Sequence, residues 1–174
     1  MEAIFLGGND KSNIPWLKQI SEELKESFSK VNVYLYKHWK LNEPFIDLNY
    51  ETKELKKYLI NKKEYVVIAK SAGAVLTLKA IHENVISPIK CIFLGLPLNW
   101  TIKNKIPLNI WIKNSSIPIL FIQNVKDPFL SSKDLKEFLI DNNAFNYSIV
   151  EINREDHTYN DFERMRLKVN KFLK

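Results

Sequence analysis

Ser71 occupies a position at which a serine side chain can act as a nucleophile. It follows the apolar run "YVVIA" at residues 65–69 after a single lysine, and an apolar helical pattern begins directly behind it. A nucleophile on a tight strand-to-helix turn needs small residues two positions before and two positions after it, and the chain supplies Ala69 and Gly73. The same pattern fits a serine that only caps the helix. The motif by itself leaves both interpretations open.

An aspartate and a histidine further along the chain supply the two other groups that an activated serine requires. A hydroxyl becomes a good nucleophile when a base takes its proton and an acid orients that base. Asp127 follows the apolar stretch "PILFIQ", and His157 follows the stretch "YSIVEI". The order serine, aspartate, histidine, with each residue behind a different predicted strand, predicts a Ser-His-Asp triad and acyl-transfer chemistry.

Both downstream residues have a second interpretation. Asp127 can form a turn or cap the helix that follows it, and His157 can be a loop histidine bonded to the backbone. His38, behind the second predicted strand, is the one rival base, but it precedes the serine in the chain. Glu155 and Asp156 are the alternative acids. The conjunction of three suitable residue types in a suitable order favours Asp127 and His157.

The elements that must position these residues alternate along the chain. Short β-branched or aromatic runs predict six strands, at residues 3–6, 31–36, 65–69, 89–96, 118–123 and 147–152. Helical patterns lie at residues 14–28, 52–62, 72–83, 132–142 and 161–173. Such alternation predicts an α/β fold, a three-layer α/β/α sandwich around a parallel sheet, with functional loops at the carboxyl ends of the strands. We expect one domain over residues 1–174.

The composition excludes several classes of protein. Of 174 residues, 45% are hydrophobic and 26% are charged, which is typical of a soluble globular chain. The net charge of +6 comes from lysines mixed with glutamates on helical patterns, so no nucleic acid partner is predicted. No apolar stretch reaches the roughly 18 residues of a membrane span, and the amino terminus is unlike a signal peptide. We therefore predict a cytoplasmic protein, with the single Cys91 buried and unpaired.

No pattern in the sequence predicts a cofactor or a metal. The two glycines of "GGND" lack the spacing of a dinucleotide-binding or phosphate-binding loop. His38, His82 and His157 lie far apart, and only one cysteine accompanies them, which gives no metal-ligand spacing. The predicted chemistry therefore depends on side chains and backbone groups alone.

The chain resembles the α/β-hydrolase superfamily, particularly its small single-domain serine hydrolases with little or no cap. The resemblance covers nearly the whole chain, and the motifs that carry it are "FLGGND" at 5–10, "AKSAG" at 69–73, "VKDPF" at 125–129 and "EDHTY" at 155–159. It implies a minimal α/β-hydrolase fold of about six parallel strands, because the family's two opening antiparallel strands are missing. It also implies a catalytic triad of Ser71, Asp127 and His157.

The resemblance further implies an oxyanion hole with a donor from the loop after the first strand. Gly7, Gly8 and Asn9 occupy this loop here, with no histidine before the glycines. If the first and third strands are neighbours, this loop meets Ala72, whose N–H opens a helix. We predict Gly8, Asn9 and Ala72 as the donor residues and leave open which loop residue gives the second N–H.

A serine hydrolase that cleaves a small acyl ester or thioester through an acyl-enzyme is the function that this resemblance implies. The alternative is a non-catalytic protein that keeps the fold as a scaffold for a ligand or partner, since fold alone does not prove function. The predicted partner is a small-molecule acyl substrate. The strand at 31–36 is expected to lie at a sheet edge where a second molecule can pair, so both a monomer and a homodimer remain open.

Several side chains near the predicted site bear on the substrate. Trp39, Trp100 and Trp111 fall in loops expected at the active edge and can line an acyl or aryl pocket. Trp16 is expected to pack its helix on the sheet, and Lys70 is a weak indication of an anionic substrate group. Residues 96–118 are the only long irregular stretch, with room for a short helix and for a cover over the pocket.

Overall fold

A six-stranded sheet organises the chain in the computed structural model, which describes residues 1–113 and 115–174. The strands within these residues are β1 (Glu2–Leu6), β2 (Lys30–Tyr34), β3 (Tyr65–Lys70), β4 (Lys90–Leu94), β5 (Ile119–Asn124) and β6 (Tyr147–Ile152). The α-helices are α1 (Asn13–Leu24), α2 (Lys37–Leu41), α3 (Leu48–Leu59), α4 (Ala72–His82), α5 (Leu98–Lys103), α6 (Leu108–Lys113), α7 (Ser132–Asp141) and α8 (Phe162–Leu173). This confirms the predicted alternation of strands and helices.

The sheet is all-parallel, in the order β2-β1-β3-β4-β5-β6. Helix α1 packs beside α8, while α4 packs beside α3 and α6, so helices form two separate layers around the sheet. Every residue of β3 and β5 is buried, because strands in the middle of a parallel sheet are covered on both faces. The predicted three-layer α/β/α sandwich with six parallel strands is confirmed.

The reversal of strand order at β1 creates the crevice in which a site can form. The chain moves from β1 outward to β2, then returns past β1 to place β3 on its other side, with Leu6 opposite Ala69. Loops that leave β1 and β3 therefore diverge from neighbouring strand ends, which is where open α/β sheets bind their ligands. The neighbourhood of the first and third strands that the sequence analysis assumed is confirmed, as is the edge position of β2.

Two segments differ from the sequence prediction. Strand β2 stops at Tyr34, two residues before its predicted end at residue 36, and the short helix α2, which was not predicted, begins at Lys37. Residues 96–118, predicted to be irregular with room for one short helix, contain both α5 and α6, while Asn114 lies outside the described residues. Each of these two helices starts directly after a proline, whose fixed φ suits a first helical turn and which has no N–H to satisfy.

Along the described ranges, no helix combines the length and the apolar character that crossing a membrane requires. The amphipathic helices α1 and α8 bury one stripe each, including Leu17 and Met165, and expose charged side chains on the other side.

Candidate active site

Ser71 lies on a strained turn between β3 and α4. Its φ of 52° and ψ of −120° place a non-glycine residue at a positive φ, which confirms the strain that a nucleophile elbow predicts. The Ser71 N–H donates to the Leu94 carbonyl over 3.0 Å, which holds the turn against β4. The Ser71 side chain makes no capping hydrogen bond to α4. The helix-cap interpretation is therefore wrong for this serine.

Gly73 lets the start of α4 approach the loop after β1. A Cβ atom at residue 73 would lie 2.6 Å from the Gly7 carbonyl oxygen and 2.9 Å from the Leu6 Cβ. Neither contact can relax cheaply, because one partner is backbone and the other is the first carbon of a buried side chain. The sequence motif calls for a small residue two positions after the serine. The structure gives the reason, since the loop after β1 leaves no space for a side chain at Gly73.

A buried carboxylate fixes the orientation of the His157 ring. The Nδ1–H of His157 donates to Asp127 Oδ2 over 2.7 Å, and the Asp127 side chain is fully buried. The other carboxylate oxygen, Oδ1, accepts from the Phe129 N–H over 2.8 Å. The second ring nitrogen, Nε2, is buried and has no hydrogen-bond partner among the described residues. His157 therefore presents a basic nitrogen while Asp127 holds its other side.

Glycine at position 95 makes room for this histidine. Gly95 directly follows β4 and has a φ of +63°, a conformation that side-chain-bearing residues rarely adopt. A Cβ atom there would lie 2.8 Å from His157 Cε1 and 2.5 Å from Tyr159 Cε2. The end of β4 therefore sets how closely the His157 loop approaches the serine turn, a role that the sequence analysis did not assign.

Tyr159 is a second group on the buried carboxylate, and sequence reasoning missed it. Its hydroxyl donates to Asp127 Oδ2 over 2.7 Å and accepts from the Asn124 N–H over 3.0 Å. Its carbonyl accepts from the indole N–H of Trp16 over 2.8 Å. Burial, and then the charge of Asp127, raise the pKa of the Tyr159 phenol far above its ordinary value, so the phenol remains a donor. The only sequence signal was its position two residues after the histidine.

The alternative acids lie in other hydrogen bonds. Glu155 pairs with Lys126 at the surface. Asp156 accepts from Thr158 and from Arg154, and these hydrogen bonds hold the pKa of Asp156 well below its ordinary value. Among these three acids, the described structure brings only Asp127 to His157.

The loop after β1 is fixed through its carbonyl groups. The Gly7 carbonyl accepts from the Tyr36 hydroxyl over 2.9 Å. The Asn9 carbonyl accepts from His38 Nε2 over 2.7 Å and from Trp39 Nε1 over 2.8 Å. We call Tyr36, His38 and Trp39 the aromatic clamp. No sequence motif marked these residues as partners of the glycine loop.

With the carbonyls held by the aromatic clamp, the amide groups of this loop stay available. Among the described residues, the N–H groups of Gly8, Asn9 and Ala72 have no hydrogen-bond acceptor. The Asn9 side chain is engaged elsewhere, accepting from Ile46 N–H over 2.8 Å and donating to the Pro44 carbonyl over 2.9 Å. The backbone N–H of Asn9, rather than its side chain, is therefore the Asn9 donor that we assign to the predicted oxyanion hole.

His38, the rival base, lies in the aromatic clamp rather than beside the serine. It is only 3% exposed, and its Nε2 donates to the Asn9 carbonyl. Its other nitrogen, Nδ1, is buried and has no partner among the described residues, but His38 is not part of the cavity that Ser71 and His157 line, so we assign it to the support of the loop.

A cavity of about 300 Å³ joins the predicted site residues. Its wall contains Gly8, Asn9, Ser71, Ala72 and His157, with Asp127 behind the histidine. The aromatic wall is formed by Phe45, Trp100 and Phe129.

Of the three tryptophans predicted for the pocket, Trp100 alone lines it. Trp39 belongs to the clamp, and Trp111 is buried with Lys79 Nζ 5.5 Å from its ring centroid.

Solved structures with the same architecture include several hydrolases. α/β-Hydrolase domain-containing protein 10 from mouse superposes with a TM-score of 0.75 at 12% identity, covering 99% of this chain and 89% of that chain. A YdeN-like hydrolase from Pectobacterium atrosepticum gives 0.75 at 13% identity, with 98% and 89% covered. Est1E from Butyrivibrio proteoclasticus, solved with ferulic acid, gives 0.72 at 14% identity, with 99% and 87% covered. The chain has the α/β-hydrolase fold. No protein-family model and no curated protein matches it by sequence.

Lys70 adds a charge to this α/β-hydrolase cavity. It lies directly before Ser71, lines the cavity and is only 8% exposed. Burial lowers the pKa of the Lys70 ammonium to about 8, and the negative charges of Asp127 and Asp156 offset only part of that effect. Its Nζ lies 5.0 Å from the ring centroid of Trp16, a weak substitute for a carboxylate.

Proposed function

We propose that this protein is a serine hydrolase that cleaves a small acyl ester or thioester, with Ser71 as nucleophile, His157 as base and Asp127 as the acid that orients it. The observation that carries the proposal is the Asp127–His157 hydrogen bond, which engages Nδ1 and leaves Nε2 without a partner, in a histidine that lines the same cavity as the strained Ser71. A helix cap or a structural histidine would require neither feature.

In the proposed first step, His157 Nε2 takes the proton of Ser71 as Oγ attacks the acyl carbon. The carbonyl oxygen becomes an oxyanion, and Asp127 stabilises the imidazolium that has formed. The tetrahedral intermediate then breaks its bond to the leaving alcohol or thiol, and the His157 proton passes to that group. Water attacks the acyl-enzyme in the same manner, releasing the carboxylic acid and regenerating Ser71.

The oxyanion is bound in this proposal by backbone amides from two loops. The Ala72 N–H opens α4, whose positive dipole end adds to the field at that point. Gly8 or Asn9 supplies the second N–H, and the aromatic clamp keeps the carbonyls of that loop pointing away. Loss of a single oxyanion donor typically costs roughly 2.7–4 kcal/mol in barrier height.

A serine-directed fluorophosphonate tests the proposal, because it reacts with a serine that is activated by a base and whose adduct oxygen is bound by donors. We expect stoichiometric labelling of the wild-type protein above neutral pH, with mass spectrometry locating the adduct on Ser71. Ser71→Ala should abolish labelling, and His157→Ala should nearly abolish it. His38→Ala is the matched control, and it should still label.

The alternative, a non-catalytic scaffold, predicts the opposite result. A folded wild-type protein that neither reacts with the fluorophosphonate nor hydrolyses short-chain esters and thioesters would overturn the proposal. Labelling at another serine, unaffected by Ser71→Ala, would also overturn it. Est1E, which has the same fold, was solved with ferulic acid bound, and this supports a carboxylic ester as the substrate class.

A further inference from the structure

Lys70 is a buried cation without a protein counter-charge. It is 8% exposed, and among the described residues its ammonium has neither a hydrogen bond nor an ion pair. The carboxylates that act on it electrostatically are already engaged: Asp127 accepts from His157, Tyr159 and Phe129, and Asp156 accepts from Arg154 and Thr158. Among the described residues, both carboxylates that act on this ammonium therefore have other partners.

The other lysine of equal burial shows the usual solution. Lys79, also 8% exposed, forms an ion pair with Glu83 and lies over the ring of Trp111. Burying an ionised group without such a partner is costly, so unpaired buried charges are rare outside functional sites. Lys70 has the aromatic neighbour but lacks the carboxylate, and unlike Lys79 it lines the cavity.

We propose that Lys70 binds a carboxylate carried by the substrate, so that the site takes short esters or thioesters bearing one carboxylate group. This rests on the proposed hydrolase function, with Lys70 as the specificity-determining residue. Lys70 is adjacent to Ser71 in the chain, with Cα atoms about 3.8 Å apart, and both residues line the same cavity, so we place the carboxylate and the scissile carbonyl on one small substrate. A cavity of about 300 Å³ suits an acid of that size.

Among the described residues that line the cavity, Asp10 is the one carboxylate, and its charge opposes an anionic ligand. Asp10 is exposed, and its Oδ1 accepts from the Ser12 N–H over 2.7 Å. His157 is required by the proposed mechanism as a neutral base. The amino end of α4 contributes positive potential next to Lys70. A carboxylate bound by Lys70 would thus replace the missing partner with a charge-assisted hydrogen bond.

Paired substrates test this preference. One pair is the hemisuccinate and the butyrate of the same neutral phenol, which places the carboxylate on the acyl side. The other pair is the acetate of 4-hydroxybenzoate and the acetate of its neutral amide, which places it on the leaving group. For each pair, the measured quantity is kcat/KM for the anionic substrate divided by kcat/KM for the neutral one, the anionic-to-neutral ratio. We expect Lys70→Met and Lys70→Gln to lower this ratio by about 10- to 100-fold for at least one pair.

Lys11→Met is the matched control for net charge. Lys11 lies in the same β1 loop, and its Nζ donates to the Asn42 side chain outside the cavity wall. The Lys11→Met substitution removes one positive charge without touching the proposed site. The anionic-to-neutral ratio of kcat/KM should therefore stay within about twofold of wild type for both substrate pairs. If Lys70→Met leaves the anionic-to-neutral ratio of kcat/KM unchanged for both substrate pairs, the Lys70 proposal is overturned. The hydrolase proposal would not be affected by that result.

A binding experiment separates the two proposals when no hydrolysis is seen. Ligand-observed NMR would compare monomethyl succinate with methyl butyrate on Ser71→Ala and on the double variant Ser71→Ala, Lys70→Met. We expect the anionic ligand to bind Ser71→Ala at least about tenfold more tightly than the double variant, with little change for the neutral ligand. Equal affinities would overturn the Lys70 proposal. Preferential binding without any esterase activity of the wild type would uphold it and overturn the hydrolase proposal.

Discussion

His157 and His38 follow parallel strands of the same sheet, yet the structure uses them in different ways. His157 donates its Nδ1–H to the buried carboxylate of Asp127, and its Nε2 has no partner among the described residues. His38 binds the Asn9 carbonyl through Nε2 and is buried in the aromatic clamp. Both histidines stand where loops leave the carboxyl ends of strands, so position along the fold does not distinguish them.

The hydrogen-bond partner is what distinguishes the two rings. A carboxylate on one nitrogen stabilises the imidazolium that forms when the other nitrogen takes a proton, whereas a peptide carbonyl carries no full charge and mainly fixes orientation. His157 is therefore equipped for proton transfer, and His38 for holding the loop that carries Gly8 and Asn9. In the proposed mechanism, His157 is the base itself, whereas His38 only holds the loop of the predicted oxyanion donors.

The largest expected effect comes from replacing each histidine by glutamine. His157→Gln should lower kcat for a short ester by roughly 10⁴- to 10⁶-fold, since it removes the only base at Ser71 in the proposed mechanism. His38→Gln should lower kcat by no more than about tenfold, because Trp39 Nε1 still holds the Asn9 carbonyl. Steady-state kinetics on both folded variants measures the difference, and similar losses would remove the distinction between the rings.

Asp127→Asn is expected to have the next largest effect. The amide cannot stabilise the imidazolium and favours the wrong tautomer of His157, so kcat should fall by roughly 10⁴-fold while the fold is retained. Asp156→Asn and Glu155→Gln are the matched controls, because these acids lie beside His157 in sequence but bind Arg154, Thr158 and Lys126. A larger kinetic loss in either control than in Asp127→Asn would transfer the acid role to that residue.

Much of the fold followed from patterns that act over short distances. Fully apolar, β-branched runs such as residues 65–69 have no solvent-facing alternation, and only a central parallel strand buries them on both faces. The strain at Ser71 followed equally from local sequence, through the small residues at 69 and 73. The helix α2 was missed because its five residues are too few to show a helical period, and its aromatic residue Trp39 is buried by tertiary contacts.

The support of the site could not be predicted in the same way. The Tyr159 hydroxyl meets an acid 32 residues earlier in the chain, and the aromatic clamp meets a loop about 30 residues before it. Such contacts depend on how closely two loops approach each other. For the loop of His157 and Tyr159, the missing side chain of Gly95 allows that approach. The residue types and order of the predicted triad were visible in the sequence, whereas the groups that hold it depend on distances across the sheet. The catalytic roles themselves stay predictions.

Lys70 adds a charge to the His157 region that has no counterpart at His38, and its removal should change stability. The folded-state pKa of about 8 lies below the ordinary 10.5, so below pH 8 the buried ammonium destabilises the fold, by up to about 3 kcal/mol. Between pH 8 and 10.5 the unfolded chain binds more protons, and wild-type stability should rise with pH. Lys70→Met should therefore be more stable than wild type at pH 7, with the gain shrinking towards pH 10.

Denaturant unfolding at several pH values measures this gain, and Lys79→Met is the matched control. Lys79 is equally buried but paired with Glu83, so its replacement should give no gain at pH 7. If both methionine variants show the same change in the free energy of unfolding, burial of Lys70 without a carboxylate is not what destabilises the fold.

The smallest expected effect tests whether Tyr159 contributes to the His157 region beyond stability. Tyr159→Phe removes the donor to Asp127 and the acceptor for the Asn124 N–H, so we expect stability to fall by about 1–2 kcal/mol. As a positioning residue, Tyr159 should affect kcat: we expect Tyr159→Phe to lower kcat by about tenfold and to change KM by less than about twofold.

The control is Tyr65→Phe, which removes a hydroxyl that accepts from the Ser87 N–H but lies far from the site. It should show a similar loss of stability and an unchanged kcat. If kcat falls equally in both variants, the effect of Tyr159 is structural, and the carboxylate needs only His157 and the backbone to keep its orientation.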